Sequence, residues 1–170
     1  MNRPETHEFD PYYNTYISLI EGDNVLPVLD AQPAEIHAMF SQIPEEKGTA
    51  RYAEGKWTVK EVLSHLIDGE RIFAYRVLRI SRGDETPIEG FEQDGYIENS
   101  NANNRSFASL IDEFDMQRRS NMLMLRNLSD EGSRRMGTAS EKTISARALA
   151  YIMAGHVRHH VDILKARYLI

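Results

Sequence analysis

The segment from Trp57 to Ser81, WTVKEVLSHLIDGERIFAYRVLRIS, decides the fold of this chain. It opens on Thr58-x-x-Glu61, the pattern of a capping box, in which both side chains accept hydrogen bonds from backbone N–H groups at the start of a helix. Apolar residues then recur at helical spacing along one face: Val62, Leu66, Ile72, Phe73, Val77 and Ile80. The segment predicts a long amphipathic helix over 59–81, and Gly83 stands where such a helix should stop.

Three further segments show the same helical periodicity. They run from Asn24 to Ile43, from Arg105 to Leu128, and from a cap at Thr143 or Ser145 to about Tyr168. Pro33 lies deep in the first of them and is predicted to kink or split it. Strand-like alternation is nearly absent, residues 84–104 have no convincing period, and residues 129–142 form a polar connection. The sequence therefore predicts an all-α four-helix bundle with long crossover connections, an architecture that builds its sites from facing helices.

Length and charge indicate a small globular protein. The 170 residues suit one domain, 1–170, whose first ten polar residues are expected to be loosely held. Lys and Arg number 20 against 26 Asp and Glu, a formal net charge of −6, and the basic residues are too scattered for nucleic-acid binding. The chain also lacks a signal-peptide core and an apolar run of membrane-spanning length. We expect a cytoplasmic protein with neither a nucleic-acid nor a membrane partner.

The chain contains no cysteine. A disulfide framework is therefore excluded, and no thiolate of the protein can act as a metal ligand or nucleophile. Any thiol chemistry has to arrive with a substrate.

Three histidines carry the strongest chemical signal. His156 and His160 are four residues apart, so they project from one face of one helix, and His65 lies on the apolar face of the 59–81 segment. Three imidazoles can hold a divalent metal and leave a coordination position open, as catalytic sites do. The alternative is that each histidine is a core residue with one hydrogen bond, and His159 could replace His160 as a ligand.

Four segments together resemble one protein family. The resemblance is to the DinB-like superfamily of bacterial four-helix metalloproteins, which includes bacillithiol transferases and mycothiol-dependent isomerases. It lies within residues 57–169, in the segments WTVKEVLSHLIDGE, PIEGFEQDGYI, NANNRSFASLIDEF and AYIMAGHVRHHVDIL. The resemblance implies one metal ligand after Trp-Thr, at His65, and a His-x-x-x-His pair at His156 and His160, which favours His160 over His159. Three imidazoles suit several metals, and we expect zinc or nickel, with iron or manganese as alternatives.

The resemblance also implies a function. It indicates a metal-dependent transferase that activates a low-molecular-weight thiol for S-transfer to a small electrophile. The alternatives are a metal-dependent hydrolase and a non-enzymatic, stress-related binding protein with a structural metal. Two positions depart from relatives of the bacillithiol type: Glu70 stands where they often have a histidine, and Glu92 where many have an aspartate.

A homodimer is expected on two grounds. The resemblance implies one, and a small bundle need not cover the apolar surface of Tyr12, Tyr13 and Tyr16.

Four polar residues are candidates for catalytic roles. Asp68 follows His65 by three residues and could orient its ring, although it could equally be an ordinary exposed helix carboxylate. Asp94, Tyr96 and Arg105 flank the long loop over the expected site mouth. Their alternative interpretation is ordinary loop structure.

Overall fold

The computed structural model describes residues 1–168 and consists mainly of helices. The four long helices are α2 (Leu26–Phe40), α3 (Val59–Ser81), α5 (Phe107–Arg126) and α7 (Ala146–Ile163), and the short ones are α1 (Asn14–Ile17), α4 (Gln93–Glu98) and α6 (Asp130–Arg134). A π-helical turn, Leu164–Tyr168, continues α7. The predicted four-helix bundle is confirmed. Residue 169, the last residue of the range that resembles the DinB-like superfamily, lies outside the described residues.

Side-chain caps start three of the long helices, and the sequence predicts two of them, those of α3 and α7. At α3, Thr58 Oγ1 accepts from the Glu61 backbone N–H at 3.1 Å, and the Glu61 carboxylate accepts from the Thr58 N–H at 2.7 Å. This is the capping box that the sequence predicts. At α7, Ser145 Oγ accepts from the Ala148 N–H at 3.0 Å, which decides between the two predicted caps. The polar atoms of these caps satisfy N–H groups that have no partner within the helix.

Two segments predicted as loops contain regular structure. An antiparallel hairpin begins in the polar connection with β1 (Met136–Ala139) and extends past it with β2 (Lys142–Ser145), and α4 lies within residues 84–104. The backbone of Ile88 pairs with the hairpin through Thr138 and Ser140. Four-residue strands carry too little alternation to be recognised, and this hairpin is stabilised by tertiary contact: a Cβ on Gly137 would come within 2.6 Å of the Ile80 side chain.

Pro33 lies inside α2 and does not split it, so of the two predicted outcomes, a kink or a break, the break does not occur. A proline leaves the carbonyl four residues earlier, here that of Leu29, without its helical donor. Arg118 Nη1 from α5 donates to that carbonyl at 3.0 Å. The Arg118 side chain is fully buried, and it also donates to both carboxylate oxygens of Glu70 at 2.8 and 2.9 Å and to Gln32 Oε1 at 2.7 Å. A distant arginine therefore replaces the missing backbone donor.

Residues 1–10, which the sequence analysis expects to be loosely held, contact the bundle through polar side chains. Glu8 is buried and accepts hydrogen bonds from both Nε and Nη2 of Arg147 at the start of α7. Burial alone would raise the pKa of Glu8, but hydrogen bonds from Arg147 and Ser145 lower this pKa to about 2. The paired charge anchors the polar N-terminus, which hydropathy alone does not reveal.

The core consists of two apolar clusters joined along α7. One cluster includes Ile17 and Val77 together with Ile152, in the first half of α7. The other includes Leu66 and Phe114 together with Val157 and the residues after it. Within residues 1–168, no helix is long and apolar enough to span a membrane.

Candidate metal centre

Three imidazoles meet at the junction of the two core clusters. His65 projects from α3, and His156 and His160 project from successive turns of α7. One ligand atom from each lies within 4.8 Å of the others, and Nε2 of His65 is 2.9 Å from Nε2 of His156. Among the described residues, this is the single group of three or more histidine or carboxylate side chains close enough to share a metal.

His159 lies outside this group. Its ring packs edge-on against Tyr16, with centroids 5.4 Å apart, and against His160 at 5.1 Å. The structure thus brings together the three histidines implied by the family resemblance and places the alternative ligand beside them.

Lowered pKa values favour the neutral form of the three imidazoles. Burial, with a smaller contribution from His159, lowers the pKa of His65 to about 4. Burial and the neighbouring imidazoles also lower the pKa values of His156 and His160 well below the usual range. A metal ligand must offer a free lone pair, so these low pKa values suit coordination. Three neutral nitrogen donors fit a divalent cation.

Trp57 covers one side of the group. Its indole lies against the His65 ring, with centroids 4.6 Å apart, and stacks on His160 at 6.4 Å. The Tyr168 hydroxyl donates to the Trp57 carbonyl at 2.6 Å, which links the π-helical turn to the residue before the α3 cap. The chain thus positions its single tryptophan as a wall of the site.

The ring of His156 is confined on three sides. Phe73 and Tyr16 pack edge-on against it at 5.4 and 5.7 Å between centroids. On the third side is Gly69, where a Cβ would lie 3.0 Å from His156 Cε1. Packing and the contact with His65 Nε2 orient this imidazole, and no carboxylate in the described residues bonds to it. Of these residues, Gly69 could have been recognised from the sequence, because a glycine inside a predicted helix often marks a position where another group packs closely.

A cavity of about 330 Å³ opens on the group at His160. Trp57 and Tyr168 form part of its wall, and Gln93 and Asp94 line it from the start of α4. Asp94 is the one acidic residue in this lining. The loop therefore brings one of its three candidates, Asp94, to the mouth of the site.

The other candidates lie around a second cavity, of about 710 Å³, on the Ser64 side of α3. Tyr96 and Arg105 line it, and Arg105 pairs with Glu113. Asp68 also lines it and forms a 3.7 Å ion pair with Arg71. Burial raises the pKa of Asp68, against the charge of Arg71.

Asp68 makes no hydrogen bond to His65 within the described structure. The suggested role of Asp68 as a partner that orients the His65 ring therefore has no contact to support it.

Comparison with known proteins identifies the family. Residues 29–164 match the sequence profile of the DinB superfamily. YfiT from Bacillus subtilis, described as a probable metal-dependent hydrolase with an unusual four-helix bundle topology, superposes with a TM-score of 0.76 over 91% of this chain and 98% of its own, at 18% identity. The mycothiol-dependent maleylpyruvate isomerase superposes with a TM-score of 0.66 at 16% identity, covering 81% of this chain and 58% of the isomerase.

At such identities, these two structures show a shared fold. No curated protein has a sequence that matches this chain. Because the matched region spans residues 29–164 of 170 and the architecture agrees, the chain belongs to the DinB superfamily.

Proposed function

We propose that His65, His156 and His160 bind one divalent metal, and that the protein is a transferase acting on a low-molecular-weight thiol and a small electrophile. The observation that carries this proposal is the geometry of three imidazoles, those of His65 and His156 buried and that of His160 half-buried, which meet a cavity at His160. A bound divalent cation would supply a Lewis acid that lowers the pKa of a thiol or of water. Three neutral ligands leave the charge of such a cation uncompensated, which strengthens this effect.

The chain's own groups serve the reaction by position. Trp57 keeps water from one side of the imidazoles, and the cysteine-free chain offers no thiol that could compete with the substrate. We assign to Asp94, at the cavity mouth, the role of accepting the proton of the thiol at a carboxylate oxygen. The sulfur then bonds to the electrophilic carbon, and the leaving group departs with its electron pair.

A metal-dependent hydrolase is the second candidate. The likeness to YfiT, over nearly the whole of both chains, favours it. In that case Asp94 would accept a proton from water rather than from a thiol. The likeness to the mycothiol-dependent isomerase supports the thiol substrate instead.

Metal analysis tests the centre itself. Protein purified without chelator or nickel resin should contain about one zinc or nickel per chain, and His156→Ala should lose it because two imidazoles rarely retain a catalytic ion. His159→Ala is the matched control, since this neighbouring imidazole lies outside the group, and its metal content should stay at the parent level. Loss of metal from His159→Ala with retention in a His160→Ala variant would show that the ligand assignment is wrong.

Turnover assays separate the candidate functions. A thiol-dependent loss of a chromogenic aryl halide that requires the metal supports the transferase, and Asp94→Asn should slow it without releasing metal. Ester hydrolysis without added thiol supports the hydrolase. Stoichiometric metal with neither activity would indicate the non-enzymatic protein with a structural metal.

The homodimer remains a prediction. Of the three tyrosines named for it, Tyr12 is exposed, whereas Tyr13 is buried and Tyr16 packs on His156. The free apolar surface there is smaller than the sequence suggested. Light scattering at micromolar concentration should return the mass of two chains, and a monomer mass would contradict the prediction.

A further inference from the structure

A third cavity, of about 540 Å³, lies between α3 and residues 87–91 and contains no residue of the metal centre. Its polar lining includes Arg71, Arg76, Arg79 and Glu89. Arg76 follows His65 by eleven residues on α3, which is roughly 16 Å along a helix axis. The cavity is therefore separate from the metal site.

Arg76 is buried in the wall of this cavity, and the part of the chain that the structure describes offers it no charged partner. Arg76 is 3% exposed, and its Nε is buried and has no hydrogen-bond acceptor among the described residues. Among residues 1–168, the guanidinium donates only through Nη2, to the Glu89 carbonyl at 3.1 Å and to Ser140 Oγ at 2.8 Å. Burial lowers the pKa of Arg76, yet an arginine remains charged at neutral pH.

A buried charge without a charged partner destabilises a protein. The other two arginines of the cavity each form an ion pair. Arg71 pairs with Glu113, and Arg79 pairs with Asp84 at 2.6 Å. No carboxylate in the described residues lies within ion-pair distance of Arg76. Glu89, the one acidic residue lining the cavity, is exposed and contacts Arg76 only through its backbone carbonyl.

The rest of the wall is suited to an organic group. Tyr75 and Tyr96 are both about half exposed and line the cavity together with Phe91, which packs against Tyr96 at 5.5 Å between centroids. Ile72 also lies in the wall. One free positive charge beside aromatic and aliphatic side chains matches a monoanion with an apolar body.

We propose that this cavity is a binding site for a small organic carboxylate, with Arg76 as its counterion. The carboxylate would accept a hydrogen bond from Arg76 Nη1, for which the described residues offer no partner and which, unlike Nε, is not fully buried. The inference is independent of the metal and of the reaction proposed above. A site of this kind would give the protein a carboxylate-bearing substrate or effector.

Benzoate is a suitable probe because it joins one carboxylate to a flat apolar ring. In ¹⁵N-edited NMR spectra, benzoate should shift the Arg76 Nε–H signal saturably at millimolar concentration, whereas the isosteric neutral benzamide should not. Arg76→Lys should weaken benzoate binding about tenfold or more, since an ammonium cannot reproduce the guanidinium fork. Arg82→Lys, at an exposed arginine in the cap of the same helix, is the matched control and should bind normally.

A second variant keeps the test valid if Arg76→Lys does not fold. Glu89→Gln removes an exposed carboxylate from the cavity lining and should tighten benzoate binding about two- to threefold, because a like charge is removed. Four results would each overturn the proposal. Two concern the ligand: benzamide shifts the signal as much as benzoate does, or inorganic phosphate binds more tightly than benzoate. Two concern the variants: Arg82→Lys weakens benzoate binding as much as Arg76→Lys does, or Glu89→Gln has no effect. Metal content should be unchanged in all these variants, so failure here is distinguishable from failure of the metal centre.

Discussion

Replacing Gly69 with alanine should weaken metal binding without touching a ligand. A Cβ at this position would lie 3.0 Å from Cε1 and 3.2 Å from Nδ1 of His156. Because unstrained carbon contacts begin near 3.5 Å, the imidazole would have to move by about 0.5 Å. It has little room to do so, since His156 is 5% exposed and the rings of Phe73 and Tyr16 flank it.

The size of the effect follows from the tolerance of metal bonds. Ligand distances in metal sites vary by only about 0.2 Å, so the displacement is more than twice what the site can absorb. Disturbing a group that orients a ligand typically costs about 10- to 100-fold in metal affinity. The metal-free protein should change less, because alanine gains about 1 kcal/mol of helix propensity over glycine. That gain offsets part of the overpacking cost of about 1–3 kcal/mol.

Zinc affinity measured by competition with a chromophoric chelator provides the assay, and urea unfolding of the metal-free protein gives its stability. Gly95→Ala in α4 is the control, since its Cβ would meet nothing closer than Glu92 Oε2 at 3.7 Å. Its zinc affinity should equal that of the parent. A folded Gly69→Ala protein with parental affinity, or an equal loss in Gly95→Ala, would refute the packing argument.

Three further predictions concern other parts of the chain. The hydrogen bonds from Arg147 keep the pKa of Glu8 at about 2 in the folded protein, whereas the ordinary value is 4.5. The Glu8–Arg147 pair therefore stabilises the folded protein fully above about pH 4.5. That stabilisation should be lost as the pH falls towards 2, and Glu8→Gln should flatten this acid limb in urea unfolding. Glu70→Gln should reduce the free energy of unfolding by about 3–5 kcal/mol, because it leaves the buried Arg118 charge uncompensated; parental stability would show that the pair contributes little. Copper(II) should quench the emission of Trp57, the single tryptophan, in a stoichiometric titration, since the indole lies against a ligand imidazole, and an unchanged spectrum with bound copper would contradict this placement.

Local patterns in the sequence determined the four long helices and part of the site. The capping box at Thr58 and Glu61 set the start of α3, and apolar periodicity indicated its length. The four-residue spacing of His156 and His160 put both on one face of α7. These features depend on hydrogen bonds and side-chain directions within a few residues, and sequence patterns report them directly.

Only the tertiary structure decided how distant segments meet. It placed His65 against His156 across 91 residues of sequence, and it supplied Arg118 to the carbonyl that Pro33 leaves free, 89 residues away. It also showed that Arg76 has no charged partner within residues 1–168, which no local pattern indicates. Such contacts arise from the relative positions of packed helices, so they depend on long-range burial and charge pairing rather than on the hydrogen bonds of any one segment.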